Sequence, residues 1–429
     1  MLNISLMKLS TAVAAALALV PNVVLAQEPE PVKIGSMVFL SGPAASPFGI
    51  PARNAAELMT EMLNAGKVPA PYATKGFGGS KIDTVIIDEA GGATTVVTEF
   101  RNLVQRHKVD LVIGVIASGD CLAVAPVAEE LKKFTNIFDC GTPRLFEDAS
   151  YKYVFRTGPT STMEGVAAAL YFRDIKPKLK SIAGLNQNYA WGQDSWRDFE
   201  ASMKQVFPNL EVKGSQMTKL FAGQFNTEIS AMLGAKPDVI HSSFWDGDLE
   251  ALLLQAAPRG LFKKSTGILT TGETAMYRVS AQIPDGTVIG ARGPFGPYAP
   301  DTELSGWFTK AYLDRYQTPP NYASYKMAIG FLGVKTAWEK ALAANGGKRP
   351  TDEQLAAAME YLTFEGPGGV VKMSLGKGHQ AVMEMVYGQS KYARGKMTVT
   401  NVKRYPAEKV NPPEGVKSSD WIQSGGFTK

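Results

Sequence analysis

Two successive runs of alternating strand-like and helix-like segments constrain this chain more than any other feature. In the first run, strand-like stretches at 32–40, 82–88, 110–116 and 136–139 alternate with helical periodicity at 48–64, 93–107 and 120–133. A glycine- and proline-rich loop occupies 65–80. The second run begins near 160, with helical stretches at 163–174, 192–207, 224–235 and 247–258 and strands at 181–185, 211–217, 238–243 and 267–271. A strand followed each time by a helix builds a parallel sheet covered on both faces. Two such cycles of similar size predict an α/β protein of two Rossmann-like lobes. A long helix is expected at 322–345, stopped by Gly346 and Gly347, and another at 351–361, where Thr351 and Gln354 form a capping box. Two strands are expected within 381–404, and the polar, Pro/Gly-rich 406–429 reads as a poorly ordered end.

The first 26 residues read as a secretory address. Lys8 supplies the positive region, 9–20 is an apolar run of twelve residues, and Val24-Leu25-Ala26 places small residues where a signal peptidase cuts. A run of that length is short of the ~20 residues a membrane span needs. The expected mature protein is therefore secreted, soluble and periplasmic. Cys121 and Cys140 are the only two cysteines. In an oxidising compartment a disulfide between them is expected, with two buried thiols as the alternative.

Composition narrows the function. The net charge is only +5 over 429 residues, which argues against a nucleic-acid partner. Two Cys and three scattered His give no metal-ligand pattern, so no metal and no cofactor are expected. No dinucleotide fingerprint, phosphate loop or nucleophile elbow occurs, and Gly76-Phe77-Gly78-Gly79-Ser80-Lys81 lacks the final glycine of the first. Ser118 with a distant His is the only opening for a hydrolase, and the chain is expected not to be an enzyme.

In open α/β sheets ligands bind beyond the carboxyl ends of the strands. In the first half those ends carry Ser41, then Ala117-Ser118-Gly119 opening a helix, then Thr142. Hydroxyls and a helix N-terminus suit a carboxylate, although Ser118 or Asp120 could equally cap the helix. In the second half the ends carry Trp191, Trp245-Asp246 and Glu273. Aromatic walls and an acid complement an apolar body and an ammonium group, so the combination suits a zwitterion.

These segments resemble the solute-binding proteins of ABC importers for branched-chain amino acids, the Leu/Ile/Val-binding family of type I periplasmic binding proteins. The likeness runs from about 32 to 405. It is carried by Leu40-Ser41-Gly42-Pro43, by Val109-Asp110-Leu111-Val112-Ile113-Gly114 with Ala117-Ser118-Gly119 and the stretch 123–130, and by Phe155-Arg156-Thr157. Tyr189-Ala190-Trp191-Gly192-Gln193, Pro237-Asp238-Val239-Ile240 and Gly378-His379-Gln380-Ala381 continue it in order. The resemblance implies two lobes joined by three crossovers around a ligand cleft. It divides the chain into a lobe of 32–158 plus about 290–363, a second of 159–289 plus about 364–405, and a tail of 406–429. It also implies that Ser118 and Thr142 hold a ligand carboxylate, that Glu273 pairs with an ammonium, and that Trp191 and Trp245 cover the ligand. Ala117 stands where many relatives carry a second serine, and the two tryptophans replace smaller aromatics. The expected protein is a monomer that captures an amino acid or related solute and delivers it to ABC permease subunits. Ligand-sensing receptors and binders of amides, urea or aromatic acids share the family pattern.

Overall fold

The computed structural model describes residues 29–428, so the expected leader at 1–26 lies outside the described residues. The first cycle forms β1 (Val32–Val38), β2 (Ile82–Asp88), β3 (Leu111–Gly114), β4 (Thr135–Ile137) and β5 (Val154–Arg156). The second forms β6 (Ser181–Gln187), β7 (Glu211–Thr218), β8 (Val239–Ser242), β9 (Thr266–Leu269) and β10 (Val288–Gly290). Five later strands follow: β11 (Thr363–Gly366), β12 (Gly369–Leu375), β13 (Gln380–Val382), β14 (Met385–Ala393) and β15 (Lys396–Tyr405).

These strands make two sheets, ordered β11-β12-β13-β5-β4-β3-β1-β2 and β15-β14-β10-β9-β8-β6-β7. The pairings from β13 to β2 and from β10 to β7 are parallel, while β11, β12, β14 and β15 add antiparallel edges. The chain passes between the sheets three times: after β5, after β10, and between Val382 and Met385. This is the two-lobed α/β fold anticipated from the alternation of segments.

Period-two alternation explains how each sheet is sandwiched. In β3, Leu111 and Ile113 face the helices Ile50–Ala65 and Tyr322–Ala344, while Val112 faces Ala93–Gln105 and Ser118–Glu130. In the second sheet Ile182, Val239, Ile268 and Val288 pack with helices Ser161–Ile175 and Ala190–Val206, and Ala183, Ile240, Leu269 and Ile289 face the opposite side. The long helix opens on Asn321, whose side chain accepts from the N–H groups of Ala323 and Ser324. The Thr351–Gln354 capping box is present.

Two expectations need correction. The stretch from about 364 does not lie wholly with the second sheet, because β11, β12 and β13 pair in the first. Phe364, Val371 and Met373 bury there in the same core as the long helix. Nor is 406–428 a loose end: Val410, Trp421, Ile422 and Phe427 are buried against the helices Ser161–Ile175 and Ala190–Val206. Four apolar side chains were hidden there in an otherwise polar composition. The sulfurs of Cys121 and Cys140 are bonded, which ties the helix after β3 to the segment after β4.

Candidate functional site

The parallel strands of both sheets point their carboxyl ends at a common seam, and the side chains there come from both lobes. From the first lobe come Phe39 after β1, Phe48 ahead of the helix Ile50–Ala65, Ser118 after β3 and Asp139 after β4. From the second come Tyr189 and Trp191 after β6, Trp245 and Asp246 after β8, and Glu273 after β9. Arg292 follows β10 on a chain crossing, and Tyr322 and Lys326 begin the long helix.

The aromatic residues form a closed circuit with one cation. Ring centroids lie 6.4 Å apart for Trp191 and Tyr189, 6.5 Å for Tyr189 and Trp245, 5.1 Å for Trp245 and Phe48, and 5.0 Å for Phe48 and Tyr322. The Arg292 guanidinium completes it, 5.8 Å from the Tyr322 ring and 4.5 Å from the Trp191 ring. Phe39 backs Trp245 at 5.9 Å.

Arg292 is buried and held by two acids from two elements. Its Nε donates to Glu164 at 2.7 Å and its Nη1 to Asp139 at 2.7 Å, while Lys326 Nζ donates to the same Asp139 oxygen at 2.8 Å. Burial opposes the guanidinium charge, yet Asp139 and Glu164 keep it protonated well above the ordinary arginine value. Burial, with Arg292 nearby, lowers Lys326 to about 8. Burial raises Glu164 against the pull of Arg292 and Lys326. Several polar atoms at this seam have no partner at hydrogen-bonding geometry: Arg292 Nη2, Trp191 Nε1, Trp245 Nε1, Asp139 Oδ2, Glu164 Oε2 and Glu273 Oε1. Buried polar atoms are normally paired, so this concentration makes the seam the candidate binding place.

The residues singled out from sequence fall at the same seam, with several already engaged. Ser41 is exposed on the rim and donates to Asp88 at 2.6 Å. At the helix that opens with Ser118, the N–H groups of Ile116 and Ala117 both donate to the carboxyl of Glu89, at 2.8 Å each to Oε1. Burial and the neighbouring Asp120 raise Glu89 well above the usual carboxylate range, and burial lifts Asp120 to about 6. Ser118 Oγ accepts from the Thr142 N–H at 3.3 Å, and Gly119 is exposed. The Thr142 hydroxyl donates to Asp194 at 2.6 Å, and Asp194 also pairs with Arg144 at 2.7 Å and Arg197 at 2.9 Å. Asp246 sits in the left-handed region (φ 54°) and accepts from Gln187. Burial, then Asp248, drives Asp246 well above its ordinary value.

Glu273 is fully buried at the start of a short helix, and one of its oxygens accepts the Tyr322 N–H at 3.2 Å. It thereby caps a helix of the opposite lobe. Burial raises it to about 8, offset in part by that N–H and by the phenol of Tyr277. The lobes also meet directly: Gly247 N–H donates to the Pro43 carbonyl at 3.2 Å, and Thr142 and Arg144 reach Asp194. Of the three histidines, His241 bonds Asn186, His379 bonds the Val154 carbonyl, and His107 is exposed just past the helix Ala93–Gln105.

Sequence reasoning missed Asp139, Glu164, Arg292, Tyr322 and Lys326. The available signal was the apolar run Val288-Ile289-Gly290-Ala291 ending in Arg292, a strand too short to stand out by periodicity.

A family profile described as periplasmic binding protein matches residues 31–396. No curated protein matches the chain. Among solved structures, a solute-binding protein of an ABC transporter from Rhodopseudomonas palustris BisB5, in complex with 3,4-dihydroxybenzoic acid, is 21% identical with a TM-score of 0.74. That alignment covers 88% of this chain and 98% of the other. A second from R. palustris, in complex with benzoate, is 21% identical with a TM-score of 0.73, covering 90% and 99%. A leucine-, isoleucine-, valine-, threonine- and alanine-binding protein from Brucella ovis, in its closed conformation, is 21% identical with a TM-score of 0.72, covering 90% and 97%.

Proposed function

Since this chain belongs to the periplasmic binding protein family, we propose that it is the extracytoplasmic receptor of an ABC importer. In this reading it captures a small carboxylate-bearing solute between its lobes and presents the closed form to the permease. The leader at 1–26 is removed on export, the mature chain acts as a monomer, and no covalent chemistry is performed. The lobes are the two sheets with their helices, and the passages after β5, after β10 and at 382–385 are the hinge.

The observation that carries this reading is the cluster of buried, unpartnered polar atoms at the seam, beside the aromatic circuit. Donors and acceptors from both lobes are left open together, so a bound solute bonds to both and favours the closed arrangement. The ligands named for the structural relatives, aromatic acids and α-amino acids, share one group, the carboxylate. The test is a thermal-shift screen of ligand-stripped protein against carboxylates, amides and sugars. Ligand at 100 times its dissociation constant adds about 2.7 kcal/mol. A shift with carboxylates supports the proposal; a shift with sugars alone overturns it.

One observation favours an amino acid specifically: Glu273 keeps an unpartnered buried oxygen, which an ammonium group would satisfy. On that reading Glu273→Gln weakens amino-acid binding about tenfold or more, because a charge-assisted bond is lost. Unchanged affinity for every amino acid that binds would exclude it.

A further inference from the structure

Within the reading of a carboxylate bound between the lobes, we propose that Arg292 and Trp191 hold that carboxylate. We further propose that the solute is an aromatic monocarboxylic acid without an ammonium group. The argument begins at Gly141, on the segment after β4. A Cβ placed there would stand 2.3 Å from Arg292 Nη2 and 2.5 Å from Trp191 Nε1. Two N–H donors, one from the crossing after β10 and one from the second lobe, thus converge on a stretch of backbone without a side chain. Both donors are buried and unpartnered. Separating the lobes lifts Trp191 away from Gly141 and opens a slot with Arg292 at its end. A carboxylate there can accept from Nη2 with one oxygen and from the indole with the other.

Arg292 is pre-organised for this. Its Nε and Nη1 are fixed by Glu164 and Asp139, and Asp139 is fixed in turn by Lys326. Only one edge of the planar fork remains to be used. The neighbouring side chains are aromatic: Tyr189, Trp245, Phe48 and Tyr322 close the circuit that Arg292 and Trp191 begin. A flat ring bearing a carboxylate matches both features. The other anion site of the seam, the end of β3, already holds the protein's own carboxyl from Glu89, with Asp120 beside it. An ammonium would need Glu273, whose Oε2 accepts the Tyr322 N–H and whose Oε1 packs against Gly296, where a Cβ would stand 2.3 Å from it. The open oxygens of Asp139 and Glu164 belong to carboxylates already paired through their other oxygens, and they suit ring hydroxyls.

The experiment is calorimetric titration of the ligand-stripped full-length mature protein with benzoate, benzamide and L-phenylalanine, on wild type, Trp191→Phe and Arg292→Lys. Trp191→Phe removes the N–H and keeps a ring; Arg292→Lys keeps the charge and loses the fork. The expected result is benzoate bound at least tenfold tighter than benzamide or L-phenylalanine, weakened about tenfold by Trp191→Phe and about 100-fold by Arg292→Lys. If Arg292→Lys does not fold, Trp191→Phe decides alone. L-phenylalanine bound more tightly than benzoate, or benzoate affinity unmoved in Trp191→Phe, overturns the inference and leaves the solute-binding reading standing. Binding of benzamide alone overturns both.

Discussion

Compare the end of β3 with the end of β10. At the end of β3 two backbone N–H groups face the seam ahead of a helix, and a buried carboxyl from Glu89 takes both. At the end of β10 a guanidinium faces the same seam, two acids take two of its N–H edges, and one donor is left open. Both places look like anion sites by local chemistry. The difference is in what the rest of the chain has already supplied. A helix N-terminus or a buried arginine can serve a ligand only with the hydrogen-bonding capacity left after the fold has satisfied itself.

The sharpest way to break this contrast is Glu89→Ala. It leaves the N–H groups of Ile116 and Ala117 buried without an acceptor, at about 1–3 kcal/mol each. Urea unfolding is expected to show a loss of about 2–6 kcal/mol. A loss under 1 kcal/mol would mean that Glu89 does not fill this helix end. Replacing both Cys121 and Cys140 by alanine comes next, with an expected loss of about 3 kcal/mol in the chain-entropy view. That bond joins the Glu89-held helix to the segment bearing Asp139 and Gly141. Equal stability of the double variant and oxidised wild type would show that the two regions are not coupled through it.

Gly141→Ala probes the other side of the comparison. Its methyl would intrude on Arg292 Nη2 and the Trp191 indole, and overpacking of this kind costs about 1–3 kcal/mol. Unchanged unfolding would show that these groups do not converge there. A last test is one of pH. Glu273 is raised by burial to about 8 from an ordinary 4.5, so the folded state keeps a proton that the unfolded state has lost. Its stabilising contribution is complete below about pH 4.5 and is lost as pH rises through 8. Glu273→Gln does not titrate, so its stability relative to wild type is expected to rise from pH 5 to pH 9. A flat difference would place Glu273 in water rather than in the core.

Much of the fold was legible because burial imposes period two on strands and a 3.6-residue period on helices. The stretch 82–88 and the capping box at Thr351 were readable to the residue. The three-residue β10 was not, since Val288–Gly290 is too short to show a period. With it went Arg292, whose partners Glu164 and Asp139 stand 128 and 153 residues away in sequence. Trp191, Trp245 and Glu273 were recognisable as residues at strand ends. That Glu273 accepts a backbone N–H from Tyr322 was not, because the contact exists only when the lobes meet. Ser118 and Thr142 were visible for the same reason as the tryptophans. Their engagement with each other and with Asp194 depends on the packing of three separate elements.

The most direct test of the account is the position of a carboxylate in a crystal structure of the benzoate complex. The account predicts its oxygens about 2.7–3.0 Å from Arg292 Nη2 and Trp191 Nε1, with Glu89 still bonded to Ile116 and Ala117. A carboxylate seated instead on Ser118 and the helix N–H groups behind it, with the Arg292 edge untouched, would contradict it.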